Sequence, residues 1–208
     1  MTKPQDNIST AVAPKTTGNP DGKGASAFAL DWQQSAPRGV VAKPRTQLMA
    51  EFFTSMLILS SSFKFRPVMG ELYYLYWING EWSLSLIAPD EWSEERRSAF
   101  AGTCQLQRDI TWTIDPSDLL KERNPVSEAM GRFYEAFSGT LDTDRVLEDV
   151  LPFFIKEMPY YQRLYASGLS RSILASMKLG EQTETSSNDW QALLPGKGVL
   201  LIEHRSEP

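Results

Sequence analysis

The chain has 208 residues, 41% of them hydrophobic, and a formal net charge of −5, enough apolar material for one sizeable core. No stretch approaches 18 uninterrupted apolar residues, so a membrane span is not expected, and Met1-Thr-Lys-Pro-Gln-Asp6 lacks the apolar segment of a secretory signal. Cys104 is the only cysteine, which excludes an intrachain disulfide and fits a cytoplasmic setting. Charge is uneven: residues 1–45 carry a net +3 and the remainder −8. An acidic body argues against nucleic-acid binding, which needs clustered Lys and Arg.

Residues 1–27 are rich in Pro, Thr, Gly, Asn and Ser. They cannot bury enough surface to offset their ordering entropy, and they read as a disordered tail. Phe28, Leu30 and Trp32 then suggest a short element that docks on the body. Thr46 can cap a helix running to Ser62, with an apolar stripe of Leu48, Met49, Phe52, Phe53, Met56, Leu57 and Leu59. Pro67 and Gly70 end that region.

Asn79-Gly80 is the strongest local signal, because Asn-Gly tolerates the two positive φ angles of a type I′ turn. It specifies a hairpin over 71–87 in which Ile78 pairs with Glu81, Trp77 with Trp82 and Tyr76 with Ser83. Alternation then places Trp77, Trp82, Leu75, Leu84, Tyr73 and Leu86 on a core face. Ile78, Glu81, Tyr76, Ser83, Tyr74 and Ser85 fall on a half-polar face, where Tyr74 and Tyr76 are candidates for an exposed contact surface. Burying large rings contributes a few kcal/mol, against ~0.2–1 kcal/mol for a cross-strand pair, so packing is the main reading of the indoles and a ligand platform the alternative.

Ser93 can cap a short helix through Ala101 that Gly102 stops. A third strand is expected over 104–114, with Leu106, Arg108, Ile110, Trp112 and Ile114 on one face. Helical spacing returns over 125–138, ended by Gly139. Asp142 or Thr143 can cap a further helix that Pro152 breaks. Residues 159–166 and 170–179 are shorter helical candidates, 181–188 is a polar linker, and 199–202 has the composition of a last strand. The fold class is α+β: a small antiparallel sheet (71–87 plus 104–114) packed on a helix, then a helical C-terminal region. The domains expected are a tail (1–27), an α+β core (28–120), a helical region (121–180) and a linker with the last strand (181–208).

Catalytic residue types are scarce. His204 is the only histidine and cannot make a zinc site with Cys104 alone. No Gly-x-Ser-x-Gly elbow supports a triad, and neither Gly22-Lys-Gly24 nor Gly196-Lys-Gly198 has phosphate-loop spacing. Cys104 reads as a small buried hydrophobe rather than a nucleophile. Asp90, Glu91, Glu94 and Glu95 suit the first turn of a helix. Arg108, placed among apolar neighbours, demands a carboxylate partner such as Asp90, Glu91 or Glu71, either as a structural pair or as an anion-binding residue. No cofactor and no metal are expected.

Three segments, Gly70-Glu-Leu-Tyr-Tyr-Leu-Tyr76, Leu84-Ser-Leu-Ile-Ala-Pro-Asp-Glu-Trp92 and Leu106-Gln-Arg-Asp-Ile-Thr-Trp112, keep the order and spacing of a known set. Over residues 65–114 the chain resembles the family domain of unknown function 2452, which has bacterial and animal members. Asn19-Pro20-Asp21 is similar to an Asn-Pro element near the start of that family. Trp112 is followed here by Thr113-Ile114 instead of Thr-Pro, and residues 115–208 find no counterpart in the short animal members. The resemblance implies a shared domain and no activity. The leading expectation is a non-enzymatic interaction or adaptor protein with a protein partner. The alternative is a small-molecule-binding protein or enzyme, using a pocket at the hairpin exit around Arg108, Asp90, Glu91 and Tyr74.

Overall fold

The computed structural model describes residues 25–153, 155 and 157–194. Residues 1–24 of the expected tail, the expected strand over 199–202 and His204 lie outside them. The chain divides into two compact units, Met1–Gln34 and Ser35–Pro208. In the first, helix α1 (Ala25–Gln34) contains Leu30 and Trp32, whose relative exposures are 52% and 40%.

The second unit begins with an extended segment that Pro44 turns into helix α2 (Arg45–Leu59). Proline presets the helical entry, so the helix starts just before Thr46, the residue expected to cap it. Leu48, Met49, Phe52, Phe53, Leu57 and Ile58 are all buried, as are Thr54 and Ser55. The helix is therefore enclosed on most sides. Strands β1 (Leu72–Ile78) and β2 (Glu81–Ser85) form the expected hairpin in the expected register, with Trp77 opposite Trp82. Asn79 and Gly80 take φ values of 52° and 82° at the turn. The two indoles meet edge to face at 5.0 Å.

Beyond the hairpin the structure departs from expectation. The helix expected over 93–101 is the single turn α3 (Glu94–Arg97), followed at once by β3 (Phe100–Leu106). Gly102 does not stop a helix. It sits inside β3, where a Cβ would lie 2.5 Å from the Asp115 carbonyl, so only glycine permits that approach. The strand expected over 104–114 is in fact a second hairpin, with β4 (Trp112–Pro116) returning beside β3. Asp109 makes that turn: its carboxylate accepts from the Thr111 backbone N–H and from Thr111 Oγ1 at 3.2 and 2.7 Å, and Ile110 adopts a φ of 68°. The result is a four-stranded antiparallel sheet in the order β2-β1-β3-β4.

Helix α4 (Pro125–Leu141) begins where Asn124 Oδ1 accepts the backbone N–H groups of Val126 and Ser127, a side-chain cap reinforced by Pro125. It runs on through Gly139. The helix expected after residue 142 reduces to a 3-10 turn at Leu147–Val150. The two short helices expected over 159–179 are one 20-residue helix, α5 (Tyr160–Leu179). A short helix, α6 (Ser187–Gln191), begins at the end of the expected polar linker (181–188) and buries Trp190. Side chains of α2, α4, α5 and α6 join the inner sheet residues Tyr73, Leu75, Trp82, Leu84, Leu106, Trp112 and Ile114 in one hydrophobic cluster. Phe52, Phe53, Phe133 and Phe137 lock α2 to α4 through ring contacts at 5.2–5.4 Å. The fold class is α+β. Among the described residues no helix is long and apolar enough to cross a membrane.

Candidate functional site

Cross-strand pairing places Tyr74, Tyr76, Phe100 and Thr103 on the outer sheet face, away from the helices. This face does not stay open along its whole length. The chain leaves β2 at Ser85, leaving Leu86 exposed rather than in the core, and Pro89–Glu91 form a 3-10 turn ahead of α3. Tyr76, expected as an exposed contact, is fully buried as a consequence. Its hydroxyl donates to the Ile87 carbonyl at 2.9 Å, and its ring meets Phe100 at 5.5 Å. Burial, then the neighbouring Tyr74, pushes the Tyr76 phenol up to about 12. Tyr74 is half-buried, its ring 6.4 Å from that of Phe100. Phe100 thus acts as the keystone of a small aromatic layer on the outer face.

Beside that layer runs an open groove of about 490 Å³, lined by Pro89, Asp90, Glu94, Arg97, Phe100 and Leu119, with the hydroxyl side chains of Ser98 and Ser117 at its edges. Three parts of the sequence make it: the turn and α3 form one wall, the start of β3 the floor, and the segment after β4 the other wall. Arg97 holds the first wall together. Its Nε and Nη2 donate to the carbonyls of Pro89 and Trp92 at 3.3 Å each, and its Nη1 lies 3.3 Å from Glu94. Glu91 is used internally too, accepting from the Ala88 N–H at 3.2 Å. Arg96 packs on Trp92, 4.0 Å above the ring. Asp90 is exposed and belongs to the lining.

The expected pocket at the hairpin exit therefore gathers Asp90, with Tyr74 and Glu91 nearby, but its cation is Arg97. Arg108 is exposed on the β3–β4 turn. It lies two residues beyond the end of β3, whose six steps from Phe100 already span about 20 Å at the usual rise along a strand, and it is not among apolar neighbours as alternation over 104–114 required. Arg97 escaped sequence reasoning because Glu94-Glu95-Arg96-Arg97 reads as a solvated charged run. Phe100 escaped because it fell in the helix expected over 93–101, and Ser117 and Leu119 because they lie beyond the strand expected over 104–114.

A second charged centre is closed. Lys43 Nζ donates to Glu51 Oε2 and Asp109 Oδ2 at 2.6 Å each, Gln47 supplies Glu51 Oε1 with a donor at 2.9 Å, and all three charged side chains are 12% exposed or less. Burial alone would lower the Lys43 ammonium, but the hydrogen bonds it donates to its partners, Asp109 first, hold it above its ordinary value. Burial would raise Asp109, yet Lys43 and Thr111 bring it below the ordinary carboxylate value. Glu51 stays above its own, burial outweighing Lys43. With its donors used internally, this triad ties residues 35–44 to α2 and to the β3–β4 turn. The same segment is held by α5: Ser176 Oγ donates to the Val41 carbonyl at 2.6 Å and Arg171 Nη2 to that of Ser35 at 3.5 Å. The triad is a clamp. Cys104, fully buried in β3 with its thiol pushed up by desolvation, is not poised as a nucleophile.

Residues 48–135 match the model of a protein family described as protein of unknown function (DUF2452). The match runs from α2 into α4 and so takes in the whole sheet, both walls of the groove and two members of the triad. The resemblance to that family thus extends beyond residues 65–114 in both directions. No curated protein and no solved structure matches the chain.

Proposed function

We propose that the protein is a non-enzymatic, cytoplasmic interaction protein, and that the groove between the Pro89–Arg97 wall and the Ser117–Leu119 wall is where its partner sits. The observation that carries this reading is the groove itself: half-buried Phe100 on its floor and half-buried Leu119 on its far wall leave an apolar strip partly open to water. The groove is broad and open. Small-molecule sites bury most of their ligand's surface, so an extended segment of a protein suits this shape better. The lone, buried cysteine is consistent with a reducing compartment.

Placing a photo-crosslinking residue at Ser98, which is exposed and lines the groove, tests the reading in native extract. The expected result is one or a few discrete crosslinked proteins that are missing when the same residue is placed at Leu179, which is 59% exposed on α5. Identical products from both positions, or none from Ser98, would overturn it.

A further inference from the structure

We infer that the groove takes a basic, apolar peptide segment of the partner: an extended stretch in which a lysine or arginine stands beside one or two large hydrophobic side chains. This rests on the reading of the groove as a partner site and adds the partner's chemistry. The apolar lining is Phe100 on the floor, with Leu119 and Pro89 on the two walls. Of the charged side chains that line the groove, Asp90 and Glu94 are carboxylates and Arg97 is the cation; the sequence segments that build the walls, 89–98 and 115–122, carry seven carboxylates in all against three cations (Arg96, Arg97 and Lys121), with Glu94, Asp118 and Glu91 engaged by Arg97, Lys121 and the Ala88 N–H.

Those cations are already occupied. Arg97 is bonded to two wall carbonyls and to Glu94, Arg96 lies over Trp92, and Lys121 Nζ is 2.7 Å from Asp118. An acidic ligand would have to displace those contacts and meet the carboxylate excess. A basic one meets the excess directly, and like charges facing each other at an interface discriminate strongly against the wrong partner. A lysine or arginine also fits the floor, because its methylene stem can lie on the Phe100 ring while the charge reaches Asp90 at the rim. Asp90 is the residue that reads the charge; Phe100 and Leu119 take the hydrophobic neighbour.

The test uses the full chain and three fluorescent 12-residue peptides of equal apolar content, with Lys and Arg, with Glu, or with Ser at the variable positions. The basic peptide is expected to bind at least about tenfold more tightly than the acidic one, to weaken as salt rises, and to lose about five- to tenfold on Asp90→Lys, with Asp90→Asn in between. The thermal midpoint of each variant serves as the folding control. Equal binding of the three peptides, or an Asp90→Lys variant that binds the basic peptide unchanged, overturns the inference; if Ser98 still captures a partner, the interaction reading survives it. A zero-length carboxyl–amine crosslink from Asp90 to Lys3, Lys15 or Lys23, with no peptide bound, would also overturn it by making the chain's own segment the occupant.

Discussion

Two charged clusters built from the same residue types behave in opposite ways, and burial separates them. Lys43, Glu51 and Asp109 are enclosed, and each has its hydrogen-bonding partners inside the fold. Asp90, Glu94 and Arg97 sit on a rim open to water, Glu94 at 85% side-chain exposure. A pair in water gains roughly 0–1 kcal/mol, whereas removing one partner from a buried pair costs roughly 3–5 kcal/mol. The triad is therefore where charge builds structure, and the groove rim is where charge can be spent on a partner without weakening the fold.

Lys43→Met breaks the comparison hardest. It leaves two carboxylates facing each other without their cation and should destabilise the protein by about 3 kcal/mol, a fall in thermal midpoint of about 8 °C. Calorimetry checks this. A change smaller than about 1 kcal/mol would put the triad in the same class as the rim.

Gly168→Ala tests the same clamp from behind. Alanine in place of glycine inside a helix ordinarily gains about 1 kcal/mol. Here the new Cβ would stand 2.6 Å from the Ser35 carbonyl and 2.9 Å from Ile110, and backbone on one side cannot rotate away. Overpacking of this kind costs about 1–3 kcal/mol, so the net effect should be destabilising in urea unfolding.

Acidity sharpens the contrast within the triad. Asp109 lies below its ordinary value of 3.8 when folded, so its contribution is in place above that value and is lost as pH falls through the lower folded one. Lys43 lies above 10.5; its contribution holds below 10.5 and is lost as pH rises beyond the folded value. Glu51, raised above 4.5, acts with the opposite sign to Asp109, because its contribution is fully present below 4.5 and fades as pH rises through the folded value. Urea midpoints measured across pH should show Glu51→Gln flattening the gain on mild acidification and Asp109→Asn removing the loss below about pH 4.

The smallest expected effect on the fold is at the rim. Asp90→Asn should change stability by less than about 0.5 kcal/mol while reducing partner capture from Ser98. A destabilisation comparable to that of Lys43→Met would mean the rim is structural after all.

What the sequence disclosed depended on how local the cause was. Asn79-Gly80 dictates positive φ values by itself, and the hairpin and its register follow from two residues. The β3–β4 turn has no glycine, asparagine or proline, and it uses Ile110 at positive φ, a conformation that β-branched residues ordinarily avoid. The available signal was Asp109 two residues before Thr111, the spacing at which an aspartate closes a turn on the backbone. Without that turn, Arg108 falls on an apolar face; Phe100 was displaced separately, by the helix expected over 93–101. Gly102 reads as a helix stop, whereas it and Gly168 are required by neighbours distant in sequence that leave no room for a Cβ. Of the candidate residues, the exposed position of Asp90 could be read from its place after the hairpin. Tyr76 could not, since its burial comes from residues 86–92 folding back over the strand.

Hydroxyl-radical footprinting of the full chain, in buffer and in native extract, tests the central claim most directly. Phe100 and Pro89 should lose reactivity in extract while exposed Val68 and Leu179 keep theirs. Unchanged labelling of Phe100 alongside protection of another surface would contradict the assignment of the groove as the contact site.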